Sequence, residues 1–134
     1  MSGVLSIPGS GPLQPRIFKR ATASASGNTA LWTPTNGKRF RLLKYFIDLS
    51  TNSTLSVAGL LTVSLLDGST DIAQDHMFFV PSAPGNQITT DAIPLIDLGG
   101  IGILSSTLNN VLNINLSVAL TAGICNVLAM GIEE

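Results

Sequence analysis

Apolar and polar side chains alternate without interruption over residues 112–121. The two sets are Leu112, Ile114, Leu116, Val118 and Leu120, and Asn113, Asn115, Ser117, Ala119 and Thr121. A period of two places these sets on opposite faces of a β-strand. The segment lies in a run from Leu98 to Ile132 without any charged side chain. A membrane-spanning helix needs roughly 20 mostly apolar residues, whereas small polar groups interrupt this run throughout. The pattern therefore predicts a strand and no membrane partner.

The second face of this predicted strand is polar but uncharged. Strand faces that contact water usually carry charged side chains, whereas small uncharged groups suit close contact with another protein surface. We therefore predict that Asn113, Asn115 and Ser117 lie at an interface between copies of the chain, in a homodimer or homotrimer.

The rest of the domain also consists of short runs separated by turn signals. Asn36-Gly37 and Asp67-Gly68 are strong turn signals, because these residues tolerate positive φ. A helical turn over 70–75 or 105–110 remains an alternative, but no long segment has a period of 3.6 residues. The predicted strands cover residues 16–24, 29–33, 39–50, 55–65, 76–80, 88–98, 112–120 and 124–132. About eight strands without a long helix predict an all-β domain over 16–134, an antiparallel β-sandwich of jelly-roll type.

Residues 1–15 differ from the rest of the chain. This segment carries no charged side chain and is punctuated by Pro8, Gly9, Gly11, Pro12 and Pro15. Proline fixes φ and removes a hydrogen-bond donor, so regular structure is disfavoured. Its apolar residues include Val4, Leu5, Ile7 and Leu13. We interpret 1–15 as an extended N-terminal arm that binds a neighbouring subunit; the alternative is a disordered terminus.

Charge is scarce and unevenly distributed along the chain. Charged residues form 11% of the sequence, against about 25% in a typical soluble domain. The seven basic residues are Arg16, Lys19, Arg20, Lys38, Arg39, Arg41 and Lys44. The eight acidic residues all lie at or after Asp48. Either a basic surface binds an acidic partner, or these charges pair within the domain. The pI of about 5.7 argues against a dedicated nucleic-acid-binding domain.

Side chains for catalysis or metal binding are few. The chain has one histidine, His76, and one cysteine, Cys125, too few for a zinc site. Asp67, Asp71 and Asp75 superficially resemble a calcium loop, but the later glycine and distal glutamate of such a loop are missing. We predict a non-enzymatic protein without cofactor or metal, with Cys125 in the core.

Two segments resemble small structural proteins of tailed bacteriophages. One is Gly27-Asn28-Thr29-Ala30-Leu31-Trp32-Thr33-Pro34-Thr35-Asn36-Gly37-Lys38-Arg39-Phe40-Arg41-Leu42. The other is Asn126-Val127-Leu128-Ala129-Met130-Gly131-Ile132-Glu133-Glu134. In those proteins a short strand leads through a Gly-Lys turn into a long strand, and the chain closes with a strand and an acidic tail.

The resemblance implies a capsid decoration, or cement, protein. Such β-sandwiches form dimers or trimers on the outside of the phage head and clamp adjacent major-capsid subunits, commonly with an extended arm. The expected location is the virion surface after synthesis in the host cytoplasm, in keeping with an N-terminal sequence that lacks a secretory signal. The residues expected to bind the partner are the arm residues Val4, Leu5, Ile7 and Leu13 with Arg16, Lys19, Arg20, Lys38, Arg39 and Arg41.

Two other functions are compatible with these residues. One is a receptor- or carbohydrate-binding module of a phage fibre or tail, in which Trp32 or Tyr45 stacks on a sugar ring. The other is a different minor structural protein of the head or tail.

Overall fold

The computed structural model describes residues 6–7, 11–12, 14–51, 59–79, 89–120 and 123–134. These residues form an all-β protein whose two main antiparallel sheets make a β-sandwich. The strands are β1 (Ser6–Ile7), β2 (Gly11–Pro12), β3 (Ile17–Ala23), β4 (Gly27–Trp32), β5 (Phe40–Thr51), β6 (Gly59–Asp67), β7 (Thr70–Phe79), β8 (Thr89–Asp97), β9 (Ile103–Leu104), β10 (Leu112–Leu116) and β11 (Gly123–Glu133). No helix in the described part of the chain is long and apolar enough to cross a membrane.

The strands of the sandwich pair in a nested order. The five-stranded sheet has the order β3-β11-β5-β8, with β9 also paired to β5, and the four-stranded sheet has the order β4-β10-β6-β7. The first strand of the sandwich, β3, thus pairs with the last, β11, and β4 pairs with β10. Inside these pairs, β5 pairs with β8 and β6 with β7. The chain behaves as one long hairpin that is folded over into two layers.

The inner faces of the two sheets supply the core. On β10, Leu112, Ile114 and Leu116 are buried while the residues between them are half-buried, which confirms the predicted alternation. Burying each such side chain contributes about 1.5–3 kcal/mol relative to an exposed one. Facing side chains of the other sheet include Ile47 and Val127, both fully buried. The hydrophobic effect on these inner positions holds the two layers together.

A glycine allows close packing where β11 meets β5. The register between the two strands shifts at Met130 and Gly131. A Cβ atom on Gly131 would collide with the carbonyl oxygen of Arg41 and would meet the Trp32 ring at 3.0 Å. The Trp32 ring in turn lies beside Phe40, with ring centroids 5.8 Å apart. A side chain at position 131 would therefore disturb both the strand pairing and the aromatic pair.

Most predicted strands are confirmed, with shifts at their ends. The helical alternative at 70–75 is wrong, because Thr70 begins β7 directly after the turn at Gly68, where φ is 62°. The alternative at 105–110 is also wrong: these residues form turns and bends, with Asn109 at a φ of 65°. The alternating segment ends as a strand at Leu116 rather than at 120.

Little of the predicted arm falls within the described residues. Ser6–Ile7 and Gly11–Pro12 pair with each other as a short antiparallel ribbon. Val4, Leu5 and Leu13 lie outside the described residues, and only the backbone of Ile7 is described. The arm therefore stays a prediction.

Candidate functional site

The fold brings the two basic segments of the sequence to one end of the five-stranded sheet. β3 and β5 both pair antiparallel with β11, so they run in the same direction and begin at the same end. The register shows this directly, because Ile17 lies opposite Gly131 while Arg41 lies opposite the adjacent Ile132. We call this end the basic end; it carries Arg16, Lys19, Lys38, Arg39, Arg41 and Lys44. Arg20 lies further along β3, opposite Leu128.

Two of these basic side chains pair within the domain. The Arg41 Nε donates to Glu134 Oε1 at 2.5 Å and its second terminal nitrogen donates to Oε2 at 3.1 Å. The Arg41 hydrogen bond lowers the pKa of Glu134 and, reciprocally, raises that of Arg41. Lys44 Nζ lies 3.5 Å from Asp97 Oδ2. Pairing within the domain therefore holds for Arg41 and Lys44.

The other basic side chains lie nearer the surface. Arg16, Arg20 and Lys38 are exposed, and Lys19 and Arg39 are half-buried. Within the described part of the chain none of these five forms an ion pair at 4 Å or less. They remain the side chains that can meet an acidic partner, as the first interpretation of the charge pattern requires.

Large apolar side chains are exposed beside these cations. Ile101 is 81% exposed and Leu108 is 54% exposed. The Ile101 carbonyl accepts a hydrogen bond from Arg41 at 2.7 Å. Asn109, next to Leu108, holds the Lys38 turn, since its backbone N–H donates to the Lys38 carbonyl at 2.8 Å and its Oδ1 accepts from the Gly37 N–H at 2.7 Å. The basic end thus combines positive charge with apolar surface, a composition that suits protein binding.

Glu133 anchors the last strand to the core at this end. Its Oε1 accepts hydrogen bonds from Trp32 Nε1 at 3.0 Å and from the Thr35 N–H at 3.2 Å. Burial by itself raises the pKa of Glu133, but these hydrogen bonds outweigh burial and hold the pKa below its usual value. The carboxylate satisfies the indole N–H of a fully buried tryptophan. Its residue type is therefore explained by structure, without a catalytic role.

A second candidate surface is the outer face of the five-stranded sheet. The register forms rows across this face, including Phe18–Met130–Lys44–Asp97, Arg20–Leu128–Phe46 and Thr22–Asn126–Asp48. Phe18 is 63% exposed and Ile124 is 46% exposed, while Phe46, Leu128 and Met130 are half-buried. We call these five side chains the apolar face. An exposed cluster of this kind is typical of a contact surface.

The outer face of the four-stranded sheet carries the predicted interface residues. Here Asn113 Nδ2 donates to the Gly68 carbonyl at 3.0 Å and Asn115 Nδ2 donates to Asn28 Oδ1 at 2.6 Å. Ser117 Oγ accepts from the Thr62 N–H at 2.9 Å. We call this the polar face. Each predicted residue thus has a partner within the chain, and its place between subunits stays a prediction.

Asp67 is a buried carboxylate whose role the sequence did not indicate. It accepts from Ser105 Oγ at 2.6 Å, the Ser106 N–H at 2.6 Å and Asn110 Nδ2 at 3.0 Å. Burial raises its pKa, but the three donors outweigh burial and leave the pKa below its usual value. The described residues contain no group of three or more His, Cys, Asp or Glu side chains placed to hold a metal ion. Asp67 therefore ties the 105–110 loop to β6, a contact that joins residues too distant in sequence for any local motif.

The aromatic residues considered for sugar stacking lie in the core. Trp32 is fully buried and Tyr45 is nearly so, so the prediction that either stacks on a sugar is wrong. Burial raises the pKa of Tyr45 to about 12, and its hydroxyl donates to Asp75 Oδ2 at 3.3 Å. Cys125 is also fully buried, as predicted, and burial raises its pKa to about 11. Only the backbone of His76 is described; it lies opposite Thr62 in the β6–β7 pair.

Comparison with known proteins assigns no family. No protein-family model matches the chain, and no curated protein sequence is significantly similar to it.

Proposed function

We propose that this chain is a non-enzymatic virion protein, a decoration or cement protein that binds the outer surface of a phage head. The observation that carries the proposal is the convergence at the basic end. Residues 14–16 lead directly into β3 at the end where Lys38, Arg39 and the exposed Ile101 also lie. The N-terminal segment, the free cations and the apolar side chains thus share one docking surface.

The proposed mechanism divides the binding between contacts of different kinds. The basic end docks on an acidic patch of the major capsid protein, and Ile101 and Leu108 supply apolar contact area. Segment 1–15 extends from the same end onto the adjacent capsid subunit, so that one copy bridges two. Several weak contacts in one oligomer then add through effective concentration, which stabilises the shell against outward pressure.

We also propose that the sandwich is of the jelly-roll kind. The nested pairing of β3 with β11, β4 with β10, β5 with β8 and β6 with β7 supports this. Such double-sheet folds occur in viral capsid proteins and also in lectins. The fold therefore agrees with a virion role but does not assign one by itself.

A co-sedimentation experiment tests the proposal. Purified full-length protein is mixed with capsids assembled from the major capsid protein encoded in the same genome, and binding is measured by pelleting and by electron cryo-microscopy. We expect the protein on the outer surface of the shell. We expect binding to weaken by about tenfold or more in Lys38→Gln/Arg39→Gln and in a chain that begins at residue 16.

A charge-matched variant separates local docking from general electrostatics. Ala30→Glu/Ala119→Glu lowers the net charge by the same amount at two exposed positions away from the docking surface. This control should bind capsids as the unaltered protein does. Full-strength capsid binding by Lys38→Gln/Arg39→Gln would remove the basic end from the mechanism, and no binding by the unaltered protein would overturn the proposed function.

A further inference from the structure

The charges around the apolar face are arranged asymmetrically across the sheet. The edge strand β3 and the residue before it carry exposed Arg16 and Arg20 on either side of Phe18. The opposite edge strand, β8, carries exposed Asp97 in the same row as Phe18. Between the two edges, β11 and β5 contribute the apolar Leu128, Met130 and Phe46. Cations on one edge, a carboxylate on the other and an apolar centre form a self-complementary pattern.

We propose that the apolar face is the interface between two copies of this chain, related by a two-fold axis parallel to the strands. Such an axis, passing between β11 and β5, lays each edge of one sheet on the opposite edge of the other. Arg16 and Arg20 of one copy then meet Asp97 of the second copy. Leu128 meets Phe46 of the second copy, in the centre of the interface.

The shape of the face agrees with this arrangement. An open pocket of about 350 Å³ lies beside the row, lined by Arg16, Met130, Lys44 and Asp97 among others. The same two-fold operation brings the exposed Phe18 of one copy toward this side of the other. A large aromatic side chain that enters a partner's pocket is the type of contact that contributes most to protein interfaces.

Charge complementarity favours a second copy over a different partner. An all-basic rim would fit an acidic protein, but this rim carries Arg16 and Arg20 on one side and Asp97 on the other. A two-fold axis makes two equivalent sets of attractions from that single asymmetry, and the apolar centre is removed from water twice. Leu95, 57% exposed on β8, adds apolar surface at the acidic edge. This inference supplies the oligomer on which the avidity in the proposed function rests.

Native mass spectrometry and analytical ultracentrifugation of the full-length chain test the interface without capsids. At about 20 µM we expect a dimer. Leu128→Asp and Phe18→Asp should each raise the dissociation constant about tenfold or more. Asn115→Asp, the matched change at the centre of the other sheet's outer face, should leave the dimer intact. Circular dichroism of each variant verifies that it folds.

A charge exchange identifies the symmetry. Arg16→Glu/Arg20→Glu and Asp97→Lys should each form weaker homodimers, because like charges then meet across the axis. A mixture of the two variants should form the heterodimer, since the glutamates of one copy meet the lysine of the other. A folded chain that stays monomeric at 20 µM, or a dimer that Asn115→Asp disrupts and Leu128→Asp does not, overturns the proposed interface.

The two proposals fail separately. A monomer that still sediments with capsids overturns the dimer and leaves the decoration function standing, and loss of capsid binding in Phe18→Asp would then assign the apolar face to the capsid. A dimer that ignores capsids overturns the decoration function and leaves the interface standing.

Discussion

The outer faces of the two sheets have the same backbone pattern but opposite chemistry. On the polar face, the amides of Asn113 and Asn115 donate to groups of their own domain. On the apolar face, Phe18 and Ile124 remain substantially exposed. A polar side chain can be satisfied by a neighbour or by water, whereas an exposed apolar side chain gains only by contact with another surface. The difference indicates that the apolar face is the better candidate for assembly.

This comparison changes the interpretation of the charge-free region. In the sequence, the absence of charge near Asn113 and Asn115 indicated a contact surface. In the fold, the same residue types link neighbouring strands of one sheet, since Asn115 bonds Asn28 of β4 and the Ser117 hydroxyl bonds the Thr62 N–H of β6. Small polar side chains therefore have an intramolecular function there, whether or not a second copy also covers them.

The largest expected effect tests whether the two layers are equivalent on their inner sides. Ile114 in β10 and Ile47 in β5 are both fully buried, in the four- and five-stranded sheets respectively. Truncation to alanine leaves a cavity and removes apolar contact, so each variant should lose about 2–5 kcal/mol of unfolding free energy. Urea denaturation measures the loss. A loss below about 1 kcal/mol in one variant would mean that its sheet does not share the core.

A smaller effect is expected for the link between the four-stranded sheet and the 105–110 loop. Asp67→Asn keeps the size of the side chain but places an amide group against the donors of Ser105, Ser106 and Asn110. Loss of satisfied hydrogen bonds to a buried charged group should cost about 1–3 kcal/mol at pH 7. Chemical denaturation at that pH gives the value. An unchanged stability would show that the loop does not depend on this carboxylate.

The same residue makes stability depend on pH. Because the pKa of Asp67 is lower in the folded chain than in the unfolded one, the carboxylate stabilises the fold above its unfolded pKa. That contribution disappears as the pH falls through the lower, folded pKa. The unaltered protein should therefore lose more stability than Asp67→Asn between pH 7 and about pH 3. Glu133 and Glu134 also have lowered pKa values, but they are common to both proteins and cancel in the comparison.

The smallest effect is expected when the outer faces themselves are altered. Asn115→Ala removes one exposed side-chain hydrogen bond, to Asn28, and should change the unfolding free energy by about 1 kcal/mol or less. Leu128→Ala should cost a similarly small amount in the monomer but weaken the dimer. Denaturation at several protein concentrations separates the two, since only stability that comes from association depends on concentration. Concentration dependence that persists in Leu128→Ala and vanishes in Asn115→Ala would reverse the assignment of the faces.

The periodic parts of the fold were predictable from the sequence. The alternation over 112–116 and the apolar set of 124–132 depend only on the period of two, and these strands have the expected buried residues. The interpretation of Cys125 as a core residue is confirmed for the same reason. Errors arose where no period was available. The strand from Thr70 carries polar groups at several positions, and strand formation there depends on pairing with β6 rather than on local sequence.

The surfaces were predictable only in their composition. The sequence by itself determined which residues alternate, where turns interrupt them, and that basic residues cluster early while the later strands lack charge. Tertiary structure alone decided that β3 and β5 run in the same direction beside β11, which gathers the two basic segments at one end. It also decided that Phe18 and Met130 share a row and that Asp67 meets Ser105. Periodicity is a local property, so it can be read along the chain. Strand order and direction depend on the packing of the two sheets against each other, and these determine which distant residues share a surface.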